Sequence, residues 1–176
     1  MPVKLILMEP NQILRQRSLP VEQVDENIKK IMDDMLETMY SASGIGLAAI
    51  QIGIPKRIIV LDISKKEEEE EKKPMFFVNP KITWKSNTTL TYEEGCLSVP
   101  GQFAEIDRPD ICNLTHLDYN GNLQETKAQG LLATCIQHEI DHLEGILFID
   151  YLSKLKKSMI VKKLSKQKKD LDRIVV

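Results

Sequence analysis

Two histidines in the stretch QHEIDHLEG (137–145) have the spacing of a metal-binding helix. On an α-helix, His138 and His142 lie about 6 Å apart along the axis, so their imidazole rings project from one face and can bind one ion. Glu139 is rotated by about 100° from His138, which places its carboxylate beside the ion, where a general base for an activated water belongs. The same pattern also arises by chance on exposed helices, so a third ligand must decide between the two interpretations.

The third ligand is expected to come from a different segment. Cys135 lies on the same helical face, but it is about 10 Å along the axis from His142, too far for a short side chain to share one ion. We therefore predict that Cys135 packs near the site. Cys96, in the turn-prone stretch EEGCLSVPG (93–101), is the better candidate, because a thiolate in a polar loop can reach a metal. Two histidines and one cysteine leave a fourth position open, which is typical of catalytic metal sites.

The stretch GIGLAAIQIG (44–53) is the second candidate for a functional segment. Gly44 and Gly46 permit close approach of another group to the backbone, and Gln51 supplies the one side-chain amide. A phosphate-binding loop is the weaker interpretation, because the known fingerprint needs a third glycine and a preceding strand. We interpret the segment as a wall of the site, whose backbone can pair with an extended peptide and whose amide can face a developing oxyanion.

Three helices are predicted to surround and position these residues. Apolar residues at three- and four-residue spacing predict a helix over 25–40, with Asp25 as its N-cap. A second helix over 130–144 carries the two histidines and ends at Gly145 in a left-handed conformation. A third, lysine-rich helix is expected over about 153–171.

Strands are predicted from short apolar runs between turn signals. RIIVLDIS (57–64) and MFFVNP (75–80) are typical of buried strands, and the charge run KKEEEEEKK (65–73) between them indicates a solvated loop. Two alternating stretches around Asn120-Gly121 predict a hairpin whose two central residues both take positive φ. His116, within that hairpin, is interpreted as an ordinary strand residue. The order of elements favours an α+β fold with antiparallel sheets around the central metal-binding helix.

Length and composition exclude several classes of function. The chain has 176 residues, which suits one catalytic domain over 1–176, and carries 24 lysines and arginines against 26 aspartates and glutamates. So small a net charge predicts no general attraction to DNA or to anionic membranes. No signal-peptide core and no run of roughly 20 apolar residues is present, and three unpaired cysteines favour a reducing compartment. We therefore expect a cytoplasmic protein.

Three stretches together resemble the signature motifs of one enzyme family. GIGLAAIQ (44–51), EGCLS (94–98) and QHEIDH (137–142) are similar, in order and in spacing, to the three motifs of the peptide deformylases. The surrounding stretches, including GQFAEIDRP (101–109) and GILFIDYLSKLKK (145–157), are also similar to bacterial members, so the likeness covers nearly the whole chain. The resemblance implies removal of the formyl group from the N-terminal methionine of newly made proteins, a hydrolysis that depends on one divalent metal ion. In this family the ion is typically Fe(II), with Zn(II), Ni(II) or Co(II) able to take its place.

The resemblance also implies roles for individual residues. The metal ligands would be three residues, Cys96, His138 and His142. Glu139 would be the acid and base, and the Gln51 amide with the Leu97 backbone N–H would stabilise the oxyanion. For the methionine side chain, which is unbranched and apolar, we predict a pocket with four wall residues, Ile45, Gly46, Leu131 and Cys135.

Other functions remain open from the sequence. One is an HExxH metallopeptidase, although such enzymes normally use a glutamate or a third histidine as ligand. Another is a binding protein with a structural metal, in which Glu139 would have no task.

The last helix could also contact ribosomal RNA, or its basic face could simply be solvated. The lysines of this helix are Lys154, Lys156, Lys157, Lys162, Lys163, Lys166, Lys168 and Lys169.

Overall fold

The computed structural model describes residues 2–64 and 71–175, so most of the charge run that we predicted as a loop lies outside the described residues. The helices and strands follow in this order: α1 (Glu26–Ser41), β1 (Gly46–Ala48), β2 (Ile58–Leu61), β3 (Met75–Lys85), β4 (Thr89–Cys96), β5 (Val99–Pro109), β6 (Ile111–Leu117), β7 (Leu123–Gln129), α2 (Leu131–Leu143) and α3 (Lys154–Val175).

The strands form two antiparallel sheets. Five strands pair in the order β1-β2-β3-β6-β7, while β4 and β5 form a separate two-stranded sheet. Helix α2 contacts β1, β2 and β7 of the large sheet and β5 of the small one, so it lies between the two. The predicted α+β class with a central histidine-bearing helix is confirmed. No helix in the described ranges is long and apolar enough to cross a membrane.

Helix α1 packs its methionines against the large sheet. Asp25 caps it, because the Asp25 carboxylate accepts a hydrogen bond from the backbone N–H of Ile28 at 2.9 Å. Met32, Met35 and Met39 are fully buried and belong to a core cluster that includes residues of β1 and β2. Both the predicted helix and its N-cap are confirmed.

Helix α2 is held by a close contact at its C-terminal end. Gly145 has a φ of 75°, as predicted, and a side chain there would place its Cβ 2.4 Å from the Arg15 carbonyl oxygen. One face of α2 carries Ala133, Ile136 and Leu143, which are buried in the core cluster beneath the large sheet. This packing leaves the face with His138 and His142 to form the site.

Helix α3 extends further than predicted. It begins after Ser153, whose Oγ accepts the N–H of Lys156 at 3.3 Å, and it ends at Val175 instead of near Leu171. Residues 172–175, by which the helix is longer than predicted, include no glycine or proline that would end it. Leu164 is buried in a cluster with residues of β5, whereas most residues after it are exposed.

Two strand boundaries also differ from the prediction. Strand β2 ends at Leu61, because the buried Asp62 carboxylate accepts the N–H groups of Ser64 and Lys73 and turns the chain. Strand β3 continues beyond Pro80 to Lys85. Its ladder with β6 shifts register around this proline, and a bulge is where a strand tolerates a residue without an N–H.

The predicted hairpin is present, but its turn differs from the prediction. Strands β6 and β7 are joined by residues 118–122, in which Gly121 has a φ of 84° while Asn120 does not have positive φ. Asp118 provides the reason, because its carboxylate accepts the backbone N–H groups of Asn120 and Asn122. His116 is a buried strand residue, as predicted, with a hydrogen bond of 2.9 Å to Thr126.

Candidate metal centre and substrate cavity

Three side chains from two elements meet at one point beside α2. The ligand atoms of Cys96, His138 and His142 all lie within 4.8 Å of one another, and Cys96 Sγ is 3.3 Å from His142 Nε2. Cys96 is the last residue of β4, so the strand end brings the thiol to the helix. The structure therefore brings the three predicted ligands together, and Cys135 is not part of the cluster.

The donor set fits a divalent metal ion. His142 is buried, and burial together with the nearby His138 lowers the pKa of its imidazole well below the usual value. A neutral imidazole is the form that ligates a metal. The pKa of His138 is instead raised, because its burial is outweighed by hydrogen bonds with Cys96 and Glu94, so an ion binding there displaces a proton. One thiolate and two imidazoles suit Fe(II), Zn(II), Ni(II) or Co(II), since softer ligands favour such ions over Mg²⁺ or Ca²⁺. Three protein ligands leave room for water or substrate.

Glu139 stands beside this cluster without a hydrogen-bond partner for one oxygen. Its side chain is only 5 % exposed, and Oε2 has no partner among the described residues. Burial raises the pKa of Glu139 to about 7, because a desolvated carboxylate loses the stabilisation that water gives its charge. Gly46 makes the position possible, since a Cβ there would lie 2.6 Å from Glu139 Oε1. A buried proton acceptor with one unpartnered oxygen is thus held next to the ligands.

A carboxylate that was given no role in the sequence analysis orients one of the histidines. Glu94 Oε1 lies 2.8 Å from His138 Nδ1, which leaves Nε2 for an ion. Arg108 holds Glu94 with two hydrogen bonds of 2.7 and 3.0 Å, and it also reaches Asp141 at 2.8 Å. Although burial opposes it, hydrogen bonds from His138 and Arg108 lower the pKa of Glu94. The residues form a charged network that fixes the ring of His138.

Glu94 could have been found from the sequence, whereas Arg108 and Asp141 could not. Glu94 precedes Cys96 by two residues on the same strand, and side chains at that spacing share a face of the sheet. Arg108 reaches Glu94 only through the register of β5 against β4, which the turn-prone stretch between the two strands does not determine. Asp141 joins the network only through Arg108, so it was equally hidden.

Gln51 lies in the site, but its amide is already engaged. Its Oε1 accepts the Ala48 N–H at 2.9 Å, and its Nε2 donates to Ser98 Oγ at 3.0 Å and to Cys96 Sγ at 3.6 Å. Leu97 occupies the turn between β4 and β5 and packs against Gly44, where an added Cβ would lie 2.7 Å from Leu97 Cδ1. Both predicted oxyanion donors therefore lie beside the ligand thiol.

A cavity of about 640 Å³ opens in front of the cluster. All four residues that we predicted as pocket walls line it, namely Ile45, Gly46, Leu131 and Cys135. Ile45 and Leu131 are 42 % and 39 % exposed, whereas Cys135 is buried. Burial raises the pKa of Cys135 to about 12, so the thiol is uncharged and behaves as a small apolar group. The cavity is large enough for an unbranched side chain and part of a peptide.

Known proteins resemble this chain over nearly its whole length. The polypeptide deformylase family matches residues 3–158. The chain belongs to this family. The peptide deformylase of Pelagibacter ubique is 66% identical over 176 residues, which is 100% of both chains. That of Phenylobacterium zucineum is 56% identical over 169 residues, covering 96% of this chain and 99% of the relative.

Solved deformylase structures share the fold. A crystal structure of peptide deformylase from Ehrlichia chaffeensis superposes with a TM-score of 0.90 and 44% identity, covering 96% of this chain and 98% of the other. The same enzyme in complex with actinonin superposes with a TM-score of 0.89 and 46% identity, covering 95% of this chain and 98% of the other.

This chain is thus a hydrolase that removes the N-formyl group from nascent peptides. Its family and its ligand cluster together support one metal ion. Membership decides against the peptidase and the binding protein that the sequence left open.

Proposed function

We propose that this deformylase releases formate from formylmethionyl peptides at a metal ion held by Cys96, His138 and His142. The observation that carries the proposal is the convergence of these three ligand atoms within 4.8 Å, at the wall of a cavity of about 640 Å³. A bound divalent ion supplies Lewis acidity, since it lowers the pKa of water toward neutrality and polarises a carbonyl oxygen. We further propose Fe(II) as the native ion, on family resemblance, with Zn(II), Ni(II) or Co(II) as possible substitutes.

Proton transfer is assigned to Glu139. Its free Oε2 accepts a proton from the attacking water, and the same oxygen later donates it to the leaving amine, because amide nitrogen does not depart as an anion. Gly46 keeps this carboxylate free of a neighbouring side chain. The chain thus supplies one group for both steps.

Two donors are assigned to the developing oxyanion. Gln51 Nε2 carries two hydrogens: one is donated to Ser98 Oγ, which together with the Ala48 N–H holds the amide in place, and the other faces Cys96 Sγ, with Nε2 3.6 Å from the sulfur. This second hydrogen is the one assigned to the substrate oxygen. The Leu97 backbone N–H is the second donor. A donor of this kind contributes about 3 kcal/mol to the stability of the transition state.

The reaction itself is tested by formate release from a formylmethionyl tripeptide. We compare the rates of three samples, each reloaded anaerobically to one ion per chain with Fe(II), Ni(II) or Zn(II). We expect fast formate release with Fe(II) and Ni(II). An aerobic loss of activity that anaerobic Fe(II) does not restore would count against Fe(II) as the native ion. Absence of release from fully loaded protein would contradict the proposal.

Glu94 is predicted to act through His138 on metal affinity. Glu94→Gln keeps the shape of the side chain but weakens the acceptor for His138 Nδ1, so we expect metal affinity to fall by about 10–100-fold. Competition with a chelator measures the affinity, and thermal unfolding of the metal-loaded protein measures stability separately. Glu93→Gln, one residue earlier but exposed, is the matched control and should retain the parental affinity. Equal affinities in both variants would refute this role.

Leu131 is predicted to line the methionine pocket. Leu131→Arg places a charged, longer side chain at the cavity wall, so we expect KM for formylmethionyl peptides to rise by about tenfold or more. Leu123→Arg makes the same exchange at an exposed position of β7 outside the cavity, and it should leave kcat and KM unchanged. Unchanged kinetics for Leu131→Arg would remove this residue from the pocket.

We also propose that residues 1–176 form one catalytic domain that works in the cytoplasm and contacts the ribosome through α3. The contacts of α3 with β5 support the single domain, and the three free cysteines support a reducing compartment. The exposed lysines on α3 suit binding to ribosomal RNA, although a solvated face remains the alternative.

Charge reversal tests the ribosome contact without removing the helix. Lys162, Lys166 and Lys169 are exposed and share one face of α3, so changing all three to glutamate leaves the buried Leu164 in place. We expect salt-sensitive co-sedimentation with ribosomes to be lost. A control with exposed lysines of the large sheet, Lys81 and Lys127, changed to glutamate should still co-sediment. Retained, salt-sensitive binding by the α3 variant would rule out this face.

A further inference from the structure

The sheet that carries Cys96 has a large bulge directly beside the metal cluster. In the β4–β5 ladder, Glu94 pairs with Ala104 and Cys96 pairs with Val99. Between these two pairs β4 contributes only Gly95, whereas β5 contributes residues 100–103. Bulges next to active sites commonly redirect a side chain, so the residues of this one need an explanation in terms of the site.

The bulge turns Phe103 back over the strand that ends in the metal ligand. A Cβ on Gly95 would lie 2.6 Å from Phe103 Cε1, so the aromatic ring lies directly against the bare backbone of Gly95. Gly101, with a φ of 73°, allows the chain to make this turn. The ring is thereby held one residue before Cys96 at the wall of the substrate cavity.

Phe103 is exposed in a way that a packing role does not explain. It lines the cavity and is nevertheless 64 % exposed, and it belongs to none of the three core clusters. Leaving an aromatic ring in water forgoes the favourable free energy of burying it, and an apolar group laid over the ring would recover that free energy. Ile45 and Leu131, both partly exposed, also line this cavity.

The position of the ring indicates which part of a substrate it meets. The formyl group must lie at the ligand cluster, and the methionine side chain then lies in the part of the cavity lined by Leu131 and Cys135. An extended peptide advances about 3.3 Å per residue, so the residue after methionine leaves the cluster toward the rim. Resting on the deformylase function proposed above, we propose that Phe103 binds the side chain of the residue that follows formylmethionine. The enzyme therefore prefers substrates with an apolar second residue.

The test compares formylmethionyl tripeptide amides that differ only in their second residue, which is glycine, leucine or phenylalanine. Formate release by metal-loaded protein gives kcat and KM for each. For the parent we expect kcat/KM to be about tenfold higher with leucine or phenylalanine than with glycine, since a partly exposed apolar contact lies at the low end of such discrimination. Phe103→Ala should reduce this ratio to about one, mainly through KM, because the contact is made equally in ground and transition states. Phe103→Leu should retain part of it.

The matched control is Leu90→Ala, which removes another exposed apolar side chain from the same hairpin, outside the cavity, and should leave the ratio unchanged. A loss of equal size for all three peptides in Phe103→Ala, or an unchanged ratio, would overturn the inference. Release by the parent without any dependence on the second residue would also overturn it and leave the proposed function standing. No release by the parent from any of the peptides would overturn both.

Discussion

Glu139→Gln is expected to lower the rate of formate release by about 10²–10⁴-fold without loss of the metal. Glutamine keeps the size and position of the side chain but cannot accept the proton of the attacking water. The unpartnered Oε2 of Glu139 and its burial beside the three ligand atoms support the proposal that it is the acceptor. Single-turnover formate release and metal analysis on the same sample measure the two effects independently.

A control for this variant is available near the end of the same helix. Glu144→Gln changes an acid that caps α2 and pairs with Arg57 at 2.7 Å, away from the cavity. It should retain parental activity, since partly exposed ion pairs contribute little to stability. Activity of Glu139→Gln within about tenfold of the parent, at full metal content, would show that another group moves the proton.

Cys96→Ala is expected to abolish stable metal binding and, with it, formate release. The variant removes one of the three proposed ligands. The loss of metal affinity should therefore exceed the roughly 10–100-fold loss expected for a residue that only orients a ligand. It also leaves Gln51 Nε2 and His142 Nε2 without the sulfur that now faces both. Metal content after dialysis, followed by activity with added Fe(II), measures the effect.

The chain provides a matched cysteine for comparison. Cys112 is fully buried in β6, within the core cluster beneath the large sheet, and it is not part of the ligand cluster. Cys112→Ala should therefore keep one metal ion and parental activity, while its unfolding temperature falls because a small cavity is left. Metal retention by Cys96→Ala equal to that of Cys112→Ala would contradict the assignment of Cys96 as a ligand.

Much of the site could be predicted because it depends on local spacing. Histidines four residues apart share a helical face in any α-helix, and a glycine after the last helical residue is a common stop. These rules placed His138, His142 and Gly145 correctly. Asp25 was likewise recognisable as a cap because its partner, the N–H of Ile28, is three residues away.

Other features were predicted only in part, because a nearby residue competed with the local rule. The Asn120-Gly121 pair indicated a tight turn, but the Asp118 carboxylate accepts two backbone N–H groups and sets a longer loop. The apolar run 75–80 predicted a strand no longer than that run, but the bulge in the β3–β6 ladder lets the strand continue beyond Pro80. In both cases contacts outside the short motif decide the backbone conformation.

The sequence by itself determined the helices, the class of fold, the identity of the chemical groups and, through its three motifs, the family. Only the tertiary structure decided how those groups meet. It brings Glu94 to His138 across 44 residues, holds Glu94 with Arg108 through the β4–β5 pairing, and turns Phe103 over Gly95. The physical reason is that helix periodicity and capping depend on residues within one turn of each other. Contacts between strands and helices depend on register, bulges and packing of the whole core, which no short stretch encodes.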